Sequence, residues 1–468
     1  MYLKKLNIRN FRYFRNYEIE FAPRATVLFG KNGSGKTTLI HALHKALSFM
    51  MHSEKIKEKD LKTGKWKVVG EKSLRGGNPY VSVEGYSKVG DEEYKRTKRA
   101  DYLIEIGAEA YLNEMTPIKW AMSAYYIDNR LRVSEYKEAF YQLYNWHRKT
   151  GLRPLLAYYS DGFPHYSDII AKSKKESPKV TFLVNSFDES LGYTDWNTEM
   201  GCTNTWLVRL ETKLRTIQYS IFQLADTKNE NVNKVLWNEY KTAEKEVNYI
   251  VDILKQFSKD DSKFAIEKIR ISPFDSQMEI IAIDGEFYSF QKLPAGYKRM
   301  FYIVLDLAYR SFFLTNGERK DVVGVVFIDE IDLHLHPELE QVVLKRFMDT
   351  FPNLQFIVST HSPLVLTGLE TKNKDNIVQR MVADTETPEI LHDVFGIDYN
   401  LMLEENMDVP KRNAIVQEMF DKAWESIGNK RIEEAKICVA NLEKMTPADQ
   451  PELVRLRSLI KRLEIIGR

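Results

Sequence analysis

Gly30-Lys31-Asn32-Gly33-Ser34-Gly35-Lys36-Thr37, GKNGSGKT, is the stretch whose reading decides the fold. It follows a short apolar run, RATVLF at 24–29, and an apolar helical pattern continues through Leu39, Ile40, Ala42 and Leu43 to Phe49. Strand, glycine-rich loop and helix in that order is the setting a nucleotide phosphate loop requires. Gly30, Gly33 and Gly35 let the backbone turn its N–H groups toward a β-phosphate at the helix N-terminus. Asn32, Ser34 and Thr38 complete the candidate nucleotide loop. Lys36 is placed to reach the β- and γ-phosphates, and the Thr37 hydroxyl to ligate Mg²⁺. ATP and Mg²⁺ are therefore the expected ligands.

Upstream, Tyr2 to Ile8 alternates as an opening strand and leads into Asn10-Phe11-Arg12-Tyr13-Phe14. Arg12 is a candidate phosphate contact. The aromatics either stack on adenine or simply cover the edge of a sheet.

The second half supplies the other parts that phosphoryl transfer needs. Asp321 to Glu330, DVVGVVFIDE, reads as a strand buried on both faces that ends in two adjacent acids. Asp329 is the candidate metal-side acid and Glu330 the candidate for polarising the attacking water. One helix later, Gln355 to Val358 forms another apolar strand, ending in Ser359-Thr360-His361-Ser362-Pro363. His361 is placed to sense the γ-phosphate. Ahead of the acid strand lies Leu293-Pro294-Ala295-Gly296-Tyr297, a small-residue turn opening the helical run FYIVLDLAYRSFF. Such a turn offers an anion the N-terminus of a helix.

In content and order these motifs resemble the ABC-type ATPase heads of the SMC, RecF and OLD group, over about residues 1–50 and 290–365. The resemblance implies an α/β head in which Gly30 to Thr38 is the phosphate loop. It makes Lys36, Glu330 and His361 the catalytic set, and Thr37 and Asp329 the metal side. Leu293, Ala295 and Gly296 then belong to the signature that completes a second subunit's nucleotide site. That signature usually carries Ser after its leading Leu; Pro294 stands there instead and removes a hydroxyl. His334-Leu335-His336-Pro337 occupies the place of the transporters' aspartate-bearing loop and is similar to the OLD and RecF-like branch. These departures suggest slow hydrolysis, a switch more than a motor. The family's loop glutamine finds no match, since Gln142 sits in a helical-looking stretch.

Between the halves, Leu207, Leu210, Leu214, Ile217, Ile221 and Leu224 form one heptad seam, and Leu236, Tyr240, Ala243, Val247, Ile250, Leu254 and Phe257 a second. Two such helices joined by a polar turn predict an antiparallel hairpin with a longer arm of about 35 Å. Gly151 to Ser160 reads as a loop into a buried strand near the centre of the first lobe. Lysine-rich KIKEKDLKTGKWK, ending at Lys67, and Lys95-Arg96-Thr97-Lys98-Arg99 are candidate DNA contacts against a default of solvated basic surface. From Val409 onward three amphipathic segments follow, with Ile415, Met419, Phe420 and Ala423 on the first. Ile432, Ala435, Val439 and Leu442 mark the second, and Leu453, Leu456, Leu459, Ile460 and Leu463 the third. Residues 364–468 contain no Asp-x-Asp, so the nuclease metal site of the OLD branch is not expected.

At 468 residues the chain exceeds one ordinary core. The expected organisation is an N-terminal ATPase lobe over 1–204, a hairpin over 205–262, a C-terminal ATPase lobe over 263–405 and a helical tail over 406–468. Net charge is 68 − 66, or +2, so any polyanion contact must be local. No apolar stretch approaches the roughly 20 residues of a membrane span. The start MYLKKLNIRN lacks an apolar core, and two distant cysteines form no metal pair. A cytoplasmic protein is expected.

A compact head, a short hairpin and a helical tail without a nuclease centre resemble the PtuA family, the ATPases of Septu-type antiphage systems. In that family the ATPase works with a separate HNH nuclease, PtuB. The resemblance implies an ATP-binding regulatory subunit that self-associates through its heads and positions or restrains such a nuclease. The alternatives are a RecF-like DNA repair or replication ATPase and the ATPase of another two-component defence system, such as the PARIS type. A transporter ATPase is disfavoured by the inserted hairpin and the HLHP loop.

Overall fold

The computed structural model describes residues 1–51, 53–59, 66–73, 103–112, 117–125, 132–135, 137–162, 188–194, 196, 203–226, 229–261, 264–274, 277–318, 321–372, 374–407, 412–429, 431–447 and 449–466. The Lys95–Arg99 cluster lies wholly outside these residues and the KIKEKDLKTGKWK stretch partly so. The chain forms two compact units, Met1–Phe395 and Gly396–Arg468.

Two sheets make the first unit's frame. Strands β1 (Tyr2–Phe11), β2 (Phe14–Glu20), β6 (Leu103–Tyr111), β7 (Pro117–Tyr125) and β8 (Arg132–Glu135) form an antiparallel sheet in the order β2-β1-β6-β7-β8. The other sheet uses β3 (Ala25–Phe29), β9 (Leu155–Tyr159), β13 (Gly324–Ile328), β14 (Leu354–Ser359), β15 (Asn376–Arg380) and β16 (Glu389–Leu391). Its order is β16-β15-β3-β14-β13-β9, parallel except for β16. Every residue of β3, β9, β13 and β14 is buried, as continuous apolar runs in a two-sided parallel sheet require. The side chain of Gln355, buried in β14, stitches the sheets together. Its Oε1 accepts from Leu3 N at 2.7 Å, and its Nε2 donates to Leu3 O at 2.8 Å and Ala22 O at 2.7 Å. Strand β9 is buried throughout, as expected, but among the described residues it stands at the end of the sheet beside β13, a partner some 170 residues downstream (324 − 155 = 169), rather than near the centre. Smaller pairings join β4 (Ser53–Lys59) to β5 (Trp66–Ser73), and β10 (Ile266–Ile271) to β11 (Met278–Ala282) and β12 (Phe287–Ser289).

Helix α1 (Lys36–Ala46) follows β3, and α2 (Lys137–Thr150) precedes β9. Helices α3 (Thr203–Asp226) and α4 (Glu230–Ser258) pack side by side as the expected antiparallel hairpin. At 29 residues α4 is about 43 Å long, longer than the seam alone predicts. Asn229 accounts for the difference: its side chain caps Asn231 and Val232 N–H groups, starting the helix six residues before Leu236.

Helix α5 (Ala295–Leu314) lies among the hairpin, β9 and the sheet, and every residue from Arg299 to Leu314 is buried. Its buried Asp306 and Arg310 side chains are consequently paired. The Asp306 carboxylate, 0% exposed, accepts from Tyr159 Oη at 2.7 Å, Trp206 Nε1 at 2.6 Å and Arg310 Nε at 2.6 Å. Arg310 also donates to Gly192 O and Thr194 O. At the hairpin's base Arg209 donates both Nε and Nη2 to Glu246, at 2.6 and 2.8 Å, with both side chains 1% exposed. Helix α6 (Val343–Thr350) lies in the crossover from β13 to β14.

The second unit holds α7 (Ala414–Gly428), α8 (Ile432–Met445) and α9 (Pro451–Ile466) around a core of Phe420, Ala423, Ala435, Val439, Leu442, Leu453, Leu456 and Ile460. Three amphipathic stripes therefore satisfy one another. Ile415, at the head of the first stripe, is exposed. Among the described residues no helix is long and apolar enough to cross a membrane.

Removing one partner from a buried ionic hub strands the others. Asp306→Ala is expected to cost about 3–5 kcal/mol, read as an earlier midpoint in urea denaturation followed by circular dichroism.

Candidate functional site

The site forms at the carboxyl ends of β3, β14, β13 and β9, where a parallel sheet presents its ligand-facing edge. Gly30 leaves β3 with φ +151°, and a Cβ there would sit 2.3 Å from Met381 O. Gly35 caps α1 with φ +97°, and a Cβ would meet the Phe14 ring at 2.7 Å. Both positions are therefore closed to other residues. Phe14 therefore packs against the phosphate loop at Gly35. Arg12, φ +47°, and exposed Tyr13 form the β1–β2 turn beside it.

Within the loop Lys31, Asn32, Gly33 and Thr37 are exposed, while Ser34, Gly35, Lys36 and Thr38 are buried. No side chain caps α1, so its first N–H groups are left for a ligand. Lys36 Nζ donates to Gly30 O at 2.8 Å and Lys31 O at 3.2 Å, folded along the loop. Burial lowers its pKa, opposed by Asp329, Glu330 and Asp332, which lie within electrostatic reach.

Asp329 and Glu330 follow β13 directly. Asp329 is buried; Oδ1 accepts from Ser359 Oγ, while buried Oδ2 has no partner among the described residues. Glu330 is a left-handed turn residue, φ +50°, whose N–H donates to Ser359 Oγ at 2.8 Å. Its carboxylate stands 3.9 Å from His361 Nε2. Burial first, and then the charge of Asp329, raises the pKa of Glu330, with His361 opposing. Thr360 Oγ1 donates to Asp332 at 2.6 Å, and the His361 N–H also faces Asp332.

The unpartnered Oδ2 of Asp329 and the exposed Thr37 hydroxyl suit Mg²⁺, which takes one or two protein oxygens and completes its shell with phosphate and water. Among the described residues no three His, Cys, Asp or Glu side chains converge as a metal site.

The Leu293–Tyr297 turn belongs to a different neighbourhood. Leu293 is buried, Pro294 stands at the N-cap of α5 with no side-chain cap, and Ala295 is exposed. A Cβ on Gly296 would lie 2.4 Å from His334 O, so the turn abuts the HLHP loop of its own chain. Tyr297 Oη donates to Asp261 just beyond the hairpin, and Arg346 Nη1 donates to the same carboxylate at 2.9 Å. Burial and Asp261 push the Tyr297 hydroxyl up to about 12.

Three contributors escape the motif reading. Ser359 holds the Asp329–Glu330 pair, and Arg299 reaches the same pair from α5. Asp161, just after β9, acts electrostatically on both Glu330 and Arg299. Gln142 lies on α2, donating to Glu138 one turn away. Charged residues within a largely apolar helix, Arg299 with Asp306 and Arg310, are the signal that points to a buried network.

The chain is similar to the "Retron Vc95 probable ATPase" of Vibrio cholerae serotype O1 biovar El Tor, 26% identical over 79% of this chain and 72% of that protein. It is 29% identical to the "Septu protein PtuA" of Bacillus thuringiensis over 38% of this chain, covering 49% of that protein. Among solved structures, an SMC head bound to the C-winged helix domain of ScpA covers 84% of this chain and 98% of its own, at 13% identity and a TM-score of 0.40. Residues 2–381 match the RecF/RecN/SMC N terminal domain. The chain belongs to that family of ABC-type ATPases.

Proposed function

We propose that the chain is the ATP-binding and hydrolysing regulatory subunit of a two-component antiphage defence complex. Its heads associate around shared nucleotides, and nucleotide state positions or restrains a separate HNH-type nuclease. The observation that carries the ATPase part is the convergence of four strand ends. Lys36 within electrostatic reach of Asp329 and Glu330, the unpartnered Oδ2 of Asp329 and the 3.9 Å Glu330–His361 pair support this reading. The likeness to Septu PtuA and to a retron ATPase supports the defence part.

In this reading the loop N–H groups and Lys36 hold the phosphates, aided by Asn32, Ser34 and Thr38, with Arg12 at the adjoining turn. Mg²⁺, held by Thr37 and Asp329, neutralises charge on the β- and γ-phosphates when bound. Glu330 orients and polarises the attacking water, and His361 faces it from the neighbouring strand. Leu293, Ala295 and Gly296 serve the nucleotide of the associated copy. Pro294 offers no hydroxyl there, which favours slow turnover.

Three outcomes test this reading. Lys36→Ala should abolish binding of a fluorescent ATP analogue. Glu330→Gln should accumulate an ATP-dependent assembly in analytical ultracentrifugation; the same sedimentation with and without ATP would remove the head-association mechanism. Purification from the native host should bring down a small HNH-type nuclease, whereas DNA repair proteins in its place would favour the RecF-like alternative.

The raised pKa of Glu330 has two consequences with a defined sign. A base must be ionised, so the acid limb of the ATPase pH profile should lie above the pH ordinary for glutamate. The folded state also holds this proton more tightly than the unfolded chain, a contribution present at low pH and lost as pH rises through the raised value. Glu330→Gln should therefore melt above wild type at neutral pH, the gap closing toward about pH 4 in a thermal-melt series.

A further inference from the structure

We propose that Arg299 is the positioning residue that sets the catalytic turn of its own chain and ties that turn to the signature helix. The proposal deepens the ATPase reading above and rests on it. Arg299 lies one turn into α5, three residues after Gly296, and is 2% exposed. Its guanidinium spans the ends of two parallel strands. Nη1 donates to Glu330 O, and Nη2 donates to Asp329 O at 2.8 Å and Ser160 O at 3.3 Å.

Glu330 needs such a clamp. A non-glycine residue at φ +50° occupies a sparsely populated region and stays there only when its surroundings dictate it. Both polar groups of its backbone are met by side chains from outside the turn. Ser359 at the end of β14 takes the N–H, and Arg299 takes the C=O, which also accepts from Leu333 N–H within the turn. The carboxylate that orients the water is therefore aimed by two side chains, one beside His361 and one on the helix that begins with the signature.

The chemistry of the clamp calls for arginine. A planar fork of donors reaches three carbonyls at once, which a lysine ammonium on a single flexible stem does not. The surrounding Asp332, Glu330, Asp329 and Asp161 keep the buried group charged against the pull of burial. Since the signature turn serves the associated copy's nucleotide, Arg299 links each chain's own acid to occupancy of the other site. A displacement of α5 at Gly296 is carried within one turn to the backbone of Glu330.

The test compares ATP cleavage and nucleotide affinity in the full chain for wild type, Arg299→Lys, Arg299→Ala and Ser359→Ala. Arg299→Lys should lower kcat about 10- to 100-fold, as a small misplacement of a catalytic group does, while KM for ATP changes less than about threefold. Guanidinium ion at millimolar concentration should restore Arg299→Ala at least in part, and ammonium should not. If the Arg299 variants lose cooperative melting, Ser359→Ala, which releases the other end of the same residue, should show the same split. An Arg299→Lys protein within about twofold of wild type in kcat overturns the proposal. So does a parallel loss of kcat, affinity and melting temperature with no guanidinium rescue, which would mark Arg299 as structural only. A wild-type chain that cleaves no ATP overturns the ATPase reading as well, and so separates the two failures.

Discussion

The buried carboxylate of Asp306 is the interaction on which the rest of the head depends. A helix enclosed on every face can carry a charge only where partners are in place, because desolvating an ion costs more than one hydrogen bond returns. Asp306 draws its partners from β9, from the hairpin and from its own helix one turn on. Those three bonds fix how far α5 is pushed along its axis and how it is rotated. Arg299 lies seven residues earlier, two turns or about 10 Å away. The register set at Asp306 therefore decides whether the guanidinium meets the carbonyls of Asp329 and Glu330.

The same constraint links the nucleotide site to the hairpin. Trp206, which donates to Asp306, also stacks on Tyr309 at 5.0 Å between ring centres, and Arg209 lies over the Phe313 ring at 4.8 Å. With the Arg209–Glu246 pair, these contacts bind both hairpin helices at their base to the helix that begins with the signature. Among the described residues these anchoring contacts all lie at the base. Ile221, counted in the sequence seam, is 53% exposed, and Phe222 beside it 69%.

What was legible in the sequence follows from range. The phosphate loop, the acid pair and the Ser-Thr-His-Ser strand end are local patterns, each readable within about ten residues, and the sheet brings them together as their order implied. Helix periodicity was equally local, so the hairpin and the three tail helices stood out. Strand β9 was misplaced because its neighbour is set by a parallel pairing across much of the chain, which no local pattern encodes. Ile221 and Ile415 show the other limit: spacing identifies an apolar face but not whether another element covers it. Arg299, Asp306 and Arg310 carried a signal of a different kind, charge inside an apolar helix. That signal announces a buried network without naming its members.

The departure at Pro294 is best understood through the backbone around it. Without a hydroxyl at 294, what the first turn of α5 could offer an anion in the proposed reading is its N–H groups and the positive end of a 20-residue helix, with Lys298 in the same turn. Backbone donors are indifferent to the side chain at 294 but depend on where the turn sits. Gly296 sets that position, since any Cβ would drive the turn away from His334 O. The HLHP loop is held in turn by His336, which caps the short helix 337–340 and accepts from Glu338 N at 3.4 Å. A signature of this kind trades a specific side-chain contact for dependence on a fitted backbone. Its affinity for an anion is then tied to the packing of α5, the element that also places Glu330.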